Sequence, residues 1–218
     1  MNLRLVIWVT SDCNLECKWC SQAHARKLSK GYHMSLEEIS SIVESAKSRN
    51  LRFDVIELTG GEPTVWHHLD RGIKAFKTIA DVVTLITNGN EPNKVKALNL
   101  NHWYVSNSQA TKEQLAQYKN VNVLNINHKH KKPPLIPYKD SLPAKCCVQY
   151  DRFGVEQNSL TYYMGDVYYC CYAVALSKFV PVDKVAFQDD FIKEFSDKAY
   201  DKEMCTYCIG NRKIWKQL

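Results

Sequence analysis

Residues 3–20 read LRLVIWVTSDCNLECKWC, and this stretch decides the fold. Leu3–Val9 reads as a buried β-strand, and the loop after it carries three cysteines, Cys13, Cys17 and Cys20. Further along, Ser35 caps a helix with Glu38 at the capping-box position, and Ile39, Ile42, Val43 and Ala46 make its apolar face. Phe53–Leu58 is a second strand that ends at Thr59-Gly60-Gly61-Glu62-Pro63, and Leu69–Ile79 is the helix after it. Val82–Ile86 makes strand three, ending at Thr87-Asn88-Gly89, where Asn-Gly marks a turn. Pro92 starts a short helix to Leu98.

A fourth strand, Trp103–Val105, precedes Ser106, a short helix covers Lys112–Tyr118, and a fifth strand, Val121–Ile126, runs into Asn127 and His128. This alternation over 127 residues predicts βα units around a parallel sheet. The motif-like residues fall at the C-terminal ends of strands, the face on which a parallel barrel builds its active site.

The pattern changes after His128. Pro133, Pro134, Pro137 and Pro143 make a linker or an extended wrap, not another βα unit. A strand pair follows, Leu160–Met164 and Val167–Tyr169 joined by Gly165-Asp166, then a helical stretch at Phe187–Phe195 and a closing turn at Cys205–Cys208. The expected fold is α/β: a partial (β/α) TIM-like barrel over residues 1–130 with a small C-terminal α+β module over 131–218.

With 218 residues, 45% of them hydrophobic, the chain is long enough to bury a core. No stretch approaches the roughly 18 apolar residues of a membrane span, and the N-terminus lacks a signal-peptide pattern, so a cytoplasmic protein without a membrane partner is expected. The net charge of +6, with the basic run Lys129, His130, Lys131 and Lys132, suits an anionic partner or a solvated loop. In such a setting nine cysteines point to metal binding or catalysis before disulfides.

Cys13, Cys17 and Cys20 place three thiolates in one loop, which leaves one iron of a cubane cluster open to an exogenous ligand. A structural zinc ion would need a fourth ligand such as His24. The Cys-x3-Cys-x2-Cys spacing, with aromatic Trp19 before the third cysteine, resembles the cluster motif of the radical S-adenosylmethionine (SAM) superfamily. Gly60, Gly61, Glu62 and Pro63 resemble that family's GGEP element, in which glycines permit close backbone approach and acceptors meet the SAM ammonium group.

The resemblance implies a 4Fe-4S cluster chelated by SAM on its open iron, and a 5'-deoxyadenosyl radical that abstracts a hydrogen atom from substrate. It places Trp19 and the Gly60–Pro63 turn at the cofactor. It also implies contacts to SAM from Thr87, Asn88 and Ser106, and from His128 where that residue faces the pocket. The electron comes from a one-electron donor such as flavodoxin or ferredoxin.

Six more cysteines lie after position 145. Gly165–Cys170 resembles the Gly-x4-Cys element of Twitch and SPASM auxiliary-cluster domains, with Cys146 or Cys147 upstream and Cys205 and Cys208 downstream. The resemblance implies a second 4Fe-4S cluster on Cys147, Cys170, Cys205 and Cys208, with Cys146 and Cys171 as the alternates of each doublet. The same spacing suits a zinc ribbon. The expected substrate is a small molecule or nucleotide, or a nucleic acid given the basic balance. A peptide-maturing enzyme is disfavoured because strand one begins at Leu3. A non-enzymatic zinc-bearing nucleic-acid module would leave Gly60–Pro63 unexplained.

Overall fold

The structure, a computed structural model, describes residues 3–17, 20, 22, 26–27, 29–98, 100, 104–106, 122–124, 158–168, 173–174, 177 and 181–192. The elements, in chain order, are β1 (Leu3–Thr10), α1 (Leu36–Ser48), β2 (Phe53–Gly60), a 3-10 turn (Pro63–Val65), α2 (Leu69–Phe76), β3 (Ala80–Thr87), α3 (Pro92–Ala97), β4 (Tyr104–Ser106), β5 (Asn122–Leu124), β6 (Asn158–Tyr163), β7 (Asp166–Tyr168) and β8 (Lys184–Ala186).

They form one eight-stranded sheet in the order β5-β4-β3-β2-β1-β6-β7-β8. The six strands from β5 to β6 run parallel, and the β6–β7 and β7–β8 pairs are antiparallel. This parallel-rich α/β sheet fits the partial TIM-like barrel expected from the sequence.

The sixth parallel strand does not follow β5 across the sheet. Instead β6 pairs with the other edge of β1, from Leu3 opposite Asn158 to Ile7 opposite Tyr162. The hairpin expected in the C-terminal module therefore continues the barrel sheet through β1. Its turn uses Met164 and Gly165, both at positive φ.

The two faces of the sheet differ in chemistry. Leu5 and Ile7 of β1, Ile56 and Leu58 of β2, Val83 and Leu85 of β3 and Leu160 and Tyr162 of β6 lie on one side and pack with α1 and α2. From the helices come Ile39, Ile42 and Ala46, then Leu69, Ile73 and Phe76, all buried. The i, i+3, i+7 spacing of the α1 residues puts them on one stripe. Ser35 and Glu38 close the expected capping box at its start. Among the buried strand residues of the opposite face, Glu57, Thr59, Thr84 and Thr161 are polar.

Several boundaries differ from the sequence reading. β3 begins at Ala80 because Ala80 is paired with Phe53, and α2 stops at Phe76 because Lys77–Ile79 form the turn that carries the chain into it. β4 ends at Ser106 and β5 at Leu124. The stretch from Phe187 starts as a turn, with Phe187 N donating to Gly165 O, and it follows a short strand, β8, that carries no alternation signal. Arg49, at the C-terminus of α1, fixes that turn by donating to the carbonyls of Phe187 and Asp189 at 2.8 and 2.7 Å. Its guanidinium lies 5.2 and 4.9 Å from the Phe187 and Phe191 ring centroids. The helix expected over residues 112–118, the proline-rich segment and the Cys205–Cys208 turn lie outside the described residues.

No helix among the described residues is long and apolar enough to cross a membrane.

Candidate functional site

The C-terminal ends of β1, β2 and β3 meet at one place, and each brings one of the motifs read from the sequence. β1 leads into Cys13 through a bulge: Trp8 pairs with Thr59, but it is Thr10 that pairs with Gly60. The extra residue re-aims the end of the strand. Its loop then returns and is stapled to its own start. Ser11 N donates to Tyr32 O and Met34 N to Val9 O, at 3.0 and 2.9 Å. The His33 ring bridges Thr10 Oγ1 and Asp12 Oδ2, each at 3.1 Å, and Gly31 N donates to Asp12 Oδ1 at 3.1 Å.

Cys13, Cys17 and Cys20 are half-buried thiols, none of them in a disulfide, inside this stapled loop. Two N–H donors face their sulfurs. Asn88 Nδ2, from the end of β3, lies 3.8 Å from Cys13 Sγ and donates to Asn14 Oδ1 at 2.8 Å. Arg26 Nη1 lies 3.7 Å from Cys20 Sγ while Arg26 Nε donates to Ser11 O at 2.9 Å. Burial pushes the Cys13 thiol up, and the backbone at Leu15 and the Arg26 charge pull the other way. N–H donors against sulfur favour the anionic, ligating form.

Gly60 and Gly61 are the seat of that loop. A Cβ on Gly60, which stands at φ +125, would lie 2.3 Å from Thr10 O, and one on Gly61 would lie 1.9 Å from Asp12 O. The contact is bonded as well as close, because Gly61 N donates to Thr10 O at 2.7 Å and Glu62 N to Asp12 O at 2.8 Å. The close approach made by the two glycines is therefore to the cysteine loop itself.

The Glu62 carboxylate, 1% exposed, is enclosed by protein donors. Oε1 accepts from Thr64 N, Thr64 Oγ1 and Thr87 Oγ1 at 3.1, 2.8 and 2.7 Å, and Oε2 accepts from Asn88 N at 2.6 Å. Glu62 so ties the end of β2 to the end of β3 and caps the 3-10 turn, where Pro63 occupies the first position with no N–H to leave unpaired. The Thr87 hydroxyl also accepts from Gly89 N at 3.2 Å and is buried.

Replacing Thr87 by Val removes one donor from a buried carboxylate. The expected cost is roughly 1.5–3 kcal/mol. It is read as a lower urea midpoint at unchanged slope.

Ser106 ends β4 beside Leu124 of β5, so its backbone stands at the same end of the sheet. The Ser106 side chain, Trp19, His24, His128 and all six late cysteines, Cys147, Cys170, Cys205 and Cys208 included, lie outside what the structure describes. Asp12, Arg26, Tyr32 and His33 were not foreseen. Only their nearness to Cys13 and Cys20 in the sequence marks them, since the contacts they make depend on the loop's return.

The donor set suits a cubane cluster. A cubane spreads its thiolate ligands over separate irons and leaves one iron open when only three are supplied. Three thiols in one braced loop, two of them facing N–H donors, match that requirement.

Comparison with known proteins agrees. The family model "Radical SAM superfamily" matches residues 7–131, more than half of the chain. The chain is 36% identical over 95 residues to the 7,8-dihydro-6-hydroxymethylpterin dimethyltransferase of Methanocaldococcus jannaschii, covering 43% of this chain and 18% of that protein. It is 34% identical over 88 residues to the probable GTP 3',8-cyclase of Thermococcus kodakarensis, covering 40% and 27%. It is 36% identical over 80 residues to the 7-carboxy-7-deazaguanine synthase of Neisseria meningitidis serogroup B, covering 37% and 34%. The match thus spans about a third or less of each relative.

Among solved structures, BtrN in an open conformation superposes with a TM-score of 0.59 at 17% identity, covering 96% of this chain and 92% of that one. BtrN in complex with AdoMet and 2-DOIA gives 0.57 at 14% identity, covering 100% and 88%. At these identities the likeness is one of fold. With its cysteine loop, its glycine seat and this match on the page, the chain belongs to the radical SAM superfamily, enzymes whose cofactors are a 4Fe-4S cluster and SAM.

Proposed function

We propose that this chain cleaves SAM reductively at a cluster held by Cys13, Cys17 and Cys20, and that it abstracts a hydrogen atom from a small-molecule or nucleotide substrate in a dehydrogenation, epimerisation or rearrangement. The observation that carries the reading is the braced cysteine loop seated on Gly60 and Gly61 at the C-terminal end of a parallel sheet. When bound, the cluster and SAM supply one electron transfer and a 5'-deoxyadenosyl radical.

The chain's own part is to hold and to orient. Glu62 locks the turn of β2 to Asn88, and Asn88 in turn reaches Asn14 and Cys13, so the three strand ends move as one unit. Arg26 places a cation against Cys20. In this reading the Gly60–Pro63 turn, Asn88, Ser106, Trp19 and His128 surround SAM, and Thr87 acts through Glu62. A one-electron donor such as flavodoxin or ferredoxin reduces the cluster.

The small-molecule reading is supported by the curated relatives, whose names concern a pterin, GTP and a deazaguanine. The net charge of +6 suits a phosphorylated substrate. We also propose that the division at about residue 130 is one of function, since β6–β8 share the sheet of β1–β5, with an auxiliary 4Fe-4S cluster on Cys147, Cys170, Cys205 and Cys208 in the part that follows.

Anaerobic reconstitution tests the cluster and SAM-cleavage assignments. About four irons per chain are expected from one cubane and about eight from two. Dithionite-dependent release of 5'-deoxyadenosine is expected with either loading. Zinc in place of iron, with no SAM cleavage, sinks the proposal.

A further inference from the structure

Arg26 lies outside the cysteine motif and yet reaches both of its ends. Its backbone N–H donates to Gln22 O at 3.0 Å, the bond of a helical turn, and a helical side chain leans back toward the N-terminal end of its turn. Arg26 leans back onto the loop. Nη1 comes to 3.7 Å from Cys20 Sγ, and Nε donates to Ser11 O at 2.9 Å. One guanidinium thus joins the entry of the motif, two residues before Cys13, to its last cysteine.

The charges around the loop give that cation its meaning. Arg4 is paired with Glu57 and Arg52 with Asp81, whereas among the described residues no Asp or Glu forms an ion pair with Arg26. Asp12 is held instead by the His33 ring and by Gly31 N, and the four donors on the Glu62 carboxylate are neutral. The Arg26 charge therefore faces sulfur, on a loop flanked by two carboxylates. Reduction adds negative charge to a cluster that three thiolates already surround, so a cation donating to a ligand sulfur favours the reduced form. A charged donor does so more strongly than a neutral one such as the Asn88 amide at Cys13.

We infer that Arg26 is a positioning residue that holds up the reduction potential of the cluster, acting through Cys20 as a cation fixed against its sulfur. The inference rests on the radical SAM reading above and deepens it by naming a residue that sets how readily the cluster takes up its electron. A guanidinium suits the place. It stays charged at any working pH, and its planar fork reaches Ser11 O and the sulfur at once. Lysine there keeps the charge and gives up one of the two contacts. Glutamine keeps an N–H donor and loses the charge.

The test uses anaerobically reconstituted holoprotein, titrated against potential without SAM and followed by electron paramagnetic resonance. The signal followed is the one that shifts when SAM is then added, which sets this cluster apart from any second one. Arg26→Gln is expected to lower the ratio of reduced to oxidised cluster about tenfold at the wild-type midpoint, a fall of about 59 mV for one electron. Arg26→Lys is expected to stay closer to wild type than to Arg26→Gln. A second reading needs no substitution: in protein grown on arginine with isotope-labelled guanidinium nitrogens, pulsed resonance is expected to show those nitrogens coupled to the reduced wild-type cluster. Labelled Arg26→Lys is expected to lack that coupling.

A potential unchanged in Arg26→Gln, or lowered as far in Arg26→Lys, overturns the inference, and so does a wild-type cluster without the guanidinium coupling. Arg26→Gln that loads less iron but titrates like wild type shows a mere brace and overturns it too. If Arg26→Gln loads no iron at all, the isotope reading on wild type decides. SAM cleavage and iron content of the wild type are assayed in parallel. A wild type that takes up no iron sinks the radical reading and this inference together, whereas one that loads iron and cleaves SAM while its variants titrate alike sinks this inference alone.

Discussion

Gly61→Ala is expected to abolish cluster loading and SAM cleavage as completely as the loss of Cys13 does. The added methyl carbon would stand 1.9 Å from the Asp12 carbonyl oxygen and 2.5 Å from its carbon, both backbone atoms that no rotamer change relieves. Relief must come from parting the β1 and β2 loops, which breaks the hydrogen bonds Gly61 N to Thr10 O and Glu62 N to Asp12 O. Asp12 precedes Cys13 directly, so the motif shifts by about an ångström or more, a displacement that costs roughly 100-fold or more in rate. Far-ultraviolet dichroism is expected to keep its sheet signal, because the apolar core lies on the other face of β1. Gly165→Ala is the control. It stands at φ +88 with nothing within 4 Å of the added carbon, so it strains a hairpin but leaves iron content alone. Normal iron in Gly61→Ala removes the glycine seat from the account.

The second large effect is on stability. Arg4→Met is expected to destabilise the fold by roughly 3–5 kcal/mol at neutral pH, because it leaves Glu57 buried without its cation. Glu57 is 4% exposed, and its carboxyl is raised by burial while Arg4 opposes that rise. In the variant the opposition is gone and the folded carboxyl rises further. A raised carboxyl contributes stability that is fully present below the unfolded value of about 4.3 and is lost as pH rises through the folded value. Urea midpoints for Arg4→Met are therefore expected to fall with rising pH across that window, and those of wild type to fall less. Adding Glu57→Leu is expected to restore most of the loss and flatten the profile. A single variant as stable as wild type at pH 7 contradicts the pairing.

Local signals made the first three strands and both longer helices readable. Ser35 and Glu38 form the cap their spacing promised. The motif residues stand at strand ends because parallel βα units put them there. The sheet order on the far side of β1 was not readable, since nothing local in Leu160–Tyr163 says which strand it joins. β8 was missed for a related reason: three residues carry no period. At the site, the residue types of the cysteine loop and of Gly60–Pro63 were legible, but their division of labour was not. A Gly-Gly-Glu sequence gives no hint that the carboxylate faces Thr64, Thr87 and Asn88 or that the glycines meet Asp12. Trp8 and Arg4 were invisible inside an apolar run because the strand's alternation only acquires meaning once its two faces are known.

The placement of β6 has a consequence for the order of assembly. Leu3 waits for Asn158, so one edge of β1 stays an open ladder of N–H and C=O groups until the chain has been made that far. β1, β2 and β3 with α1 and α2 draw on contacts within the first 87 residues and close early. The β1–β6 pairing joins residues 155 apart and bears a larger loop-closure entropy, which makes it the late event. Between the two, the nascent sheet exposes the strand that leads into the cysteine loop, an edge on which another chain's strand docks as readily as its own.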